Sequence, residues 1–133
     1  MSLYKRALIG FTAIAFVSIS TGASAADAAR GAQVYEEQGC NGCHAPKEAL
    51  VGPPHCGVVG RKAGTLEGYP YSEVMKDSGL TWDEKTLHQF IESPLSFLSG
   101  SNMGYAGLYD EKDRTDLIEF LKTQRAAASP ECK

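Results

Sequence analysis

The sequence lacks the features that mark several large classes of protein. It has no basic run and no interleaving of basic with aromatic residues, and its formal net charge is −3, so it is not expected to bind nucleic acid. It also has no internal repeat and no low-complexity tract, which leaves one domain as the expectation. No segment shows sustained strand alternation, and we therefore expect a domain built almost entirely of helices and loops.

Only one long apolar run is present, and it is typical of an export signal. Lys5 and Arg6 precede the apolar residues 7–19, and the small residues 23–25 form a cleavage site. A short membrane anchor is the alternative, but the run is shorter than the roughly 20 residues that span a bilayer. The sequence therefore predicts a signal peptide at 1–25, cleaved near Ala25, and one periplasmic domain at 26–133 without stable membrane insertion.

The mature domain is expected to be acidic. When Lys5 and Arg6 leave with the signal, the net charge falls from −3 to −5. Such a charge favours a cationic docking partner, or a weakly charged apolar one.

The chemistry of the chain is concentrated in Cys40-Asn41-Gly42-Cys43-His44. Two thiols that lie two residues apart and precede a histidine can attach a haem covalently, with the imidazole as one axial ligand of the iron. Zinc sites and thiol–disulfide motifs also contain paired cysteines. A dithiol oxidoreductase that used Cys40 and Cys43 would need a strand before the pair and a βαβ pattern, and neither is visible.

A second axial ligand is available among the three methionines. Met1 leaves with the signal and Met75 falls on a predicted helix, whereas Met103 lies in the glycine-rich loop 100–107. A thioether pairs well with a neutral imidazole in a haem that only passes electrons. We therefore predict His44 and Met103 as the iron ligands of a single-haem electron carrier. A haem sensor or peroxidase-like protein with a displaceable Met103 is the alternative.

Four helices are predicted from apolar spacing and end signals. They are residues 27–38 capped by Asp27, residues 71–78, a helix from the capping box at Thr81–Glu84 to Ser93-Pro94, and a last helix from the cap Asp110 to about Arg125. Residues 46–71 and 95–109 are expected to be irregular, and so long a loop suggests that it wraps something. The acidic side chains of the last helix are expected to face solvent: Asp113, Asp116 and Glu119. His55 is expected to be a satisfied loop or surface histidine, and His88 to face solvent.

The mature chain resembles the class I cytochromes c, specifically the mitochondrial-like soluble bacterial kind. The resemblance extends from the start of the mature chain to about Arg125. The motifs that carry the resemblance are Gly31 and Tyr35, Cys40-x-x-Cys43-His44, Gly52-Pro53 to Gly64, Thr81-Trp82, Met103-x-Tyr105-Ala106-Gly107, and Arg114 to Leu121. It implies an all-α fold of helices and loops wrapped around one covalently attached haem c. It also implies a crossing of the first and last helices at Gly31 and Tyr35, near Phe120.

Roles at the haem follow from the same resemblance. Cys40 and Cys43 would form the thioethers, and the Pro53 carbonyl would orient the His44 ring. Arg61, Tyr71 and Trp82 would hydrogen-bond or screen the inner propionate, and Met103 would be the sixth ligand.

The sequence departs from the family at several positions. Phe90 replaces a usual tyrosine near the methionine ligand, and Met75 replaces a frequent asparagine. Leu95, Ser96 and Asn102 stand where mitochondrial forms carry lysines, which argues against docking to a carboxylate-rich surface. Cys56 and Cys132 are additional, and an even pair in an exported protein favours a disulfide. In the family fold the region of Cys56 lies near the end of the last helix, within reach of Cys132.

The resemblance implies an electron-transfer protein and not an enzyme. We expect a monomer that meets a donor and an acceptor redox protein transiently. The contact would be made at an exposed haem edge near Tyr105, Ala106 and the thioether of Cys43.

Overall fold

The structure is a computed structural model that describes residues 25–125 and residue 132, so the predicted signal lies, apart from Ala25, outside the described residues. The described chain forms α1 (Ala28–Glu37), a 3₁₀ turn (Cys40–Gly42), α2 (Glu73–Asp77), α3 (Glu84–Glu92), α4 (Pro94–Phe97) and α5 (Glu111–Thr123). Within 25–125 the only extended pairing is an isolated antiparallel bridge between Lys62 and Thr81, which confirms the all-α expectation. No described helix is long and apolar enough to cross a membrane.

The two longest helices begin where the sequence predicted. The Asp27 carboxylate accepts from the Ala29 amide at 2.8 Å, which caps α1. The Asp110 carboxylate accepts from the Asp113 amide at 2.8 Å, which caps α5. Each carboxylate satisfies an amide that has no partner inside its helix, and this local signal is readable from sequence.

Helix α3 begins later than predicted. Its cap is Asp83, whose carboxylate accepts from the Thr86 amide at 2.7 Å. Thr81 is instead held in the bridge to Lys62, so the predicted capping box at Thr81 is wrong. A pairing with a distant segment has overridden the local capping signal.

The stretch after α3 is more helical than predicted. Helix α3 ends at Glu92, as expected, but Pro94 immediately opens the short helix α4 within a region predicted to be irregular. Proline is well tolerated in the first turn of a helix, where its missing amide would have no intrahelical partner. The same residue therefore ends one helix and begins the next.

Helices α1 and α5 cross in close contact. A Cβ atom at Gly31 would overlap the backbone carbonyl of Asp116 and approach the side chain of Phe120. The rings of Tyr35 and Phe120 pack beside this point with centroids 5.2 Å apart. The crossing implied by the resemblance is thus confirmed, and it explains why a helix-weakening glycine occurs at position 31.

Asp116 is buried in this crossing, contrary to the prediction that it faces solvent. Its side chain is 1% exposed, and it accepts from the Asp27 amide at 2.8 Å and from the Lys112 ammonium at 2.5 Å. Burial alone would raise the pKa of this carboxyl, but the hydrogen bonds from Lys112 and Asp27 outweigh it and lower the pKa. The charged Asp116 side chain of α5 therefore holds the start of α1 through the hydrogen bond from the Asp27 amide.

The hydrophobic core lies between these helices and the loops. Its buried members are Val34, Val58, Ala63, Met75, Trp82, Leu87, Phe90, Ile91, Leu108, Leu117, Ile118 and Leu121. The loops contribute as well as the helices: Val58 and Ala63 pack part of the segment 46–71 against the domain, although it forms no helix or strand.

Candidate haem site

The two thiols of the motif lie on one tight turn after α1. The amides of Cys43 and His44 both donate to the Cys40 carbonyl, at 3.1 and 2.9 Å. Cys40 is half-buried and Cys43 is exposed, and both are free thiols. The turn therefore presents two unbonded sulfur atoms and the histidine together.

The environment of Cys40 does not favour thiol redox chemistry. Burial raises the pKa of the Cys40 thiol to about 11. Cysteines that exchange disulfides have lowered pKa values, because the thiolate is the reactive form. This disfavours the dithiol oxidoreductase alternative.

The His44 imidazole is fixed from the following segment of chain. Its Nδ1 lies 2.7 Å from the Pro53 carbonyl oxygen, and because a carbonyl only accepts, Nδ1 carries the proton. The contact implied by the resemblance is therefore present. A Cβ at Gly52 would overlap the His44 ring, so this position needs glycine. Burial lowers the pKa of His44, against the opposing hydrogen bond to Pro53, and keeps the ring neutral with Nε2 as a free lone pair.

Arg61 interacts both with Trp82, through the backbone, and with Tyr71. The Trp82 amide donates to the Arg61 carbonyl at 2.9 Å, and the Arg61 guanidinium donates to the Pro54 carbonyl at 2.9 Å. Burial lowers the pKa of Arg61, and the nearby Tyr71 partly opposes this. A half-buried cation thus lies near the Tyr71 phenol, and its backbone pairs with the backbone of the buried Trp82.

A serine with a buried hydroxyl, which the sequence did not single out, follows Tyr71. Ser72 stands at the N-cap of α2, yet its side chain does not cap the helix. Its buried hydroxyl has no hydrogen-bond partner among the described residues. A buried hydroxyl without a partner costs free energy and indicates a missing polar group. The only sequence signal was its position next to Tyr71.

Met103 lies on the loop between α4 and α5. Its side chain is half-buried against the core, and its amide donates to the buried Ser101 hydroxyl at 3.3 Å. Two residues later, the Tyr105 hydroxyl donates to Gln38 at 2.8 Å. Burial, and secondarily Cys40, raises the pKa of Tyr105. This loop is therefore tied to the end of α1, two residues before Cys40.

Both other histidines have defined contacts. His55 is half-buried, hydrogen-bonded to Tyr35 and stacked on His44, so it is a satisfied loop histidine as predicted. His88 is also half-buried, between Arg114 and Thr115 of α5. The prediction that His88 faces solvent is therefore wrong.

Comparison with known proteins decides the family. The family model for cytochrome c matches residues 28–125. The chain belongs to the cytochrome c family. It is 40% identical over 127 residues to cytochrome c2 of Rhodomicrobium vannielii, covering 93% of this chain and 98% of that one. It is 39% identical over 110 residues to cytochrome c2 of Blastochloris viridis, covering 80% and 85%. Cytochrome cH from Methylobacterium extorquens superimposes with a TM-score of 0.70 at 41% identity, covering 73% of this chain and 98% of that one.

The relatives confirm the bacterial class I type that the motifs predicted. As a cytochrome c, the protein carries one covalently attached haem c and transfers electrons between redox proteins, and it is not an enzyme. These residues fit a covalent haem: two free thiols adjoin a neutral imidazole, and the buried Ser72 hydroxyl has no partner within the described part of the chain.

Proposed function

We propose that this cytochrome c is exported to the periplasm and carries single electrons on a haem iron ligated by His44 and Met103. The observation that carries the proposal is the His44 imidazole, which follows two free thiols and donates Nδ1–H to the Pro53 carbonyl at 2.7 Å. This bond fixes the ring and leaves Nε2 as the only ligating atom, as neighbours of metal-bound histidines commonly do.

Met103 is the proposed second ligand because its loop is held near the attachment turn. The link is the hydrogen bond from the Tyr105 hydroxyl to Gln38, and within the loop the Met103 amide donates to the Ser101 hydroxyl. A thioether is neutral and binds iron in both oxidation states, so neither ligand has to leave during electron transfer.

Pro53, Arg61, Tyr71, Trp82 and Ser72 are proposed to form the polar and packed shell. When bound, the haem supplies the iron that changes oxidation state. The residues of the chain hold its ligands and exclude water. Arg61 is proposed to offer its charge to a haem propionate, and the Ser72 hydroxyl, which has no partner among the described residues, is proposed to donate to a polar group of the haem.

The docking surface is proposed to be weakly charged and apolar. Cys43 is exposed, and the neighbouring Leu50 and Val51 are 48% and 78% exposed. Tyr69 donates to the Val51 carbonyl at 2.6 Å and holds this segment beside the thiol. Leu95, at a position of a family lysine, is 50% exposed. Transient redox encounters have small interfaces, and an apolar partner surface suits these side chains better than a carboxylate-rich one.

Cys56 and Cys132 are proposed to form a disulfide. The distance of 5.6 Å between their Cα atoms, which is within the range of such bonds, supports this proposal. Cys40 and Cys43 remain free, so haem attachment and the disulfide use different cysteines.

Absorption spectroscopy of Met103→Ala tests the ligand assignment. The wild-type protein should show reduced haem bands that resist acid-acetone extraction, together with the weak far-red band of a sulfur–iron bond. We expect Met103→Ala to lose the far-red band and keep the covalent haem. Met75→Leu is the matched control, because it replaces a buried methionine of α2 by a residue of similar volume.

A far-red band that survives in Met103→Ala would refute the assignment of this ligand. The intact mass of the same preparation tests cleavage near Ala25, because an uncleaved chain would retain the mass of residues 1–25.

A further inference from the structure

The His55 ring makes a direct contact with the His44 ring. The two imidazoles stack with centroids 4.0 Å apart and an interplanar angle of 18°. They therefore lie nearly parallel, and the His55 ring covers one face of the His44 ring. A stacked ring resists tilting of its neighbour because any tilt produces a steric overlap.

The His55 ring is itself fixed by Tyr35. The Tyr35 hydroxyl lies 3.0 Å from the His44 carbonyl oxygen and 3.0 Å from His55 Nδ1. A carbonyl only accepts, so the hydroxyl donates to His44, and His55 Nδ1–H donates to the hydroxyl oxygen. The Tyr35 ring meets the edge of His55 at 5.6 Å and packs against Phe120 at 5.2 Å. His55 is thereby anchored to the crossing of α1 and α5.

The His44 ring is consequently restrained at more than one point. Pro53 fixes its Nδ1–H, and the backbone of Gly52 lies too close for a side chain at that position. The hydrogen bond to Pro53 restrains the Nδ1 edge of the His44 ring, but by itself it still allows the plane of the ring to rotate. The stacked His55 ring restrains that rotation.

We propose that His55 is a positioning residue that sets the plane of the axial His44 imidazole by stacking on its face. The inference rests on the proposed ligation of the iron by His44. The plane of an axial imidazole decides which iron d orbital overlaps its π system, and so determines how unpaired spin spreads over the haem in the ferric state. Residues that orient a metal-bound histidine tune the metal in this way.

Two substitutions separate stacking from hydrogen bonding. His55→Gln removes the ring but keeps an N–H donor for Tyr35, whereas His55→Phe keeps a ring but loses the donor. His55→Leu is a second ringless variant, to be used if the His55→Gln protein does not form the holoprotein. His88→Leu is the matched control, because His88 lies on α3 and contacts Arg114 and Thr115 of α5 instead of His44.

The readouts are the haem-methyl resonances in proton NMR and the g values in electron paramagnetic resonance of the ferric holoprotein. We expect the ringless variants to change the spacing of the methyl resonances and to shift the largest g value. His55→Phe should stay close to the wild type, and His88→Leu should superimpose on it. These signals report the orientation of the axial ligand and would not move if His55 only stabilised the fold.

Unchanged methyl spacing and g values in a ringless variant that retains the far-red band would overturn the proposal. An equal change in His55→Phe and His55→Gln would also overturn it, because the ring would then not be the cause. A wild-type protein without the far-red band would instead refute the proposed His44 and Met103 ligation, so the two failures are distinguishable.

Discussion

Phe90 determines the chemical character of the core beside the methionine loop. Its ring is 6% exposed and packs against Trp82 at 4.8 Å and Phe97 at 6.3 Å. Met103 packs against the same core. A phenylalanine here offers no hydrogen bond to the methionine sulfur, whereas the usual tyrosine of the family offers a hydroxyl.

Phe90→Tyr should therefore raise the reduction potential. A hydroxyl that donates to the Met103 sulfur withdraws electron density from it and so disfavours the ferric iron. Equilibrium titration against a redox dye measures the potential, and Phe97→Tyr in α4 is the control that should leave it unchanged. If the new hydroxyl finds no partner, the variant should instead lose about 1–3 kcal/mol of stability. An unchanged reduction potential in a fully stable Phe90→Tyr variant would refute the hypothesis.

Individual residues differ in how far the sequence could predict them. Cys40, Cys43 and His44 were predictable because their chemistry depends on spacing along the chain. Ser72 was not, because only tertiary burial shows that its hydroxyl lacks a partner. The stacking of His55 on His44 was also hidden, since it joins two loop segments whose relative placement no periodic pattern encodes.

At the scale of helices, local signals succeeded where no distant contact competed with them. The caps of α1 and α5 were predicted correctly, because the capping aspartate and the amides that donate hydrogen bonds to it are neighbours in sequence. The cap of α3 was wrong because Thr81 pairs with Lys62. The prediction that Asp116 faces solvent failed for a related reason. The glycine at position 31 lets α1 approach so closely that it covers the carboxylate.

Asp116→Asn should weaken the docking of α1 on α5. The amide keeps the size of the side chain but removes the charge that Lys112 and the Asp27 amide stabilise. We expect a loss of about 1–3 kcal/mol in the free energy of unfolding at pH 7, measured by denaturant titration. Glu119→Gln is the control on the same helix, and its half-exposed ion pair with Lys122 should contribute less than about 1 kcal/mol.

The difference between wild type and Asp116→Asn should depend on pH in a defined direction. The folded pKa of Asp116 is lowered, so its stabilisation is fully present above the unfolded value of about 3.9 and is lost as the pH falls through the folded value. The two unfolding free energies should converge in acid. A difference that stays constant below pH 3.9 would show that the charge is not the cause.

At the scale of the whole molecule, the proposed disulfide joins parts that the helices leave separate. Cys56 lies in the long loop, next to Gly57, whose amide donates to the Gln124 carbonyl at the end of α5. Cys132 lies 76 residues after Cys56. A bond between them would therefore close residues 56–132 into one loop, which contains Met103 but not the attachment motif at Cys40–His44. The sequence could suggest this pairing only through the family fold, because cysteine spacing alone does not specify connectivity.

Replacing both Cys56 and Cys132 by serine should destabilise the protein without changing the haem spectrum. Closure of so long a loop by a disulfide lowers the conformational entropy of the unfolded chain. On that basis the bond contributes at most roughly 4 kcal/mol to the free energy of unfolding. Denaturant unfolding with and without a reductant measures it: the reductant should lower the stability of the wild type and leave the double variant unaffected. The far-red band should persist in the double variant, because the attachment thiols are Cys40 and Cys43.

A wild type that yields two reactive thiols when unfolded without reductant would show that the bond does not form. Loss of haem from the double variant would show that the disulfide and haem attachment are coupled.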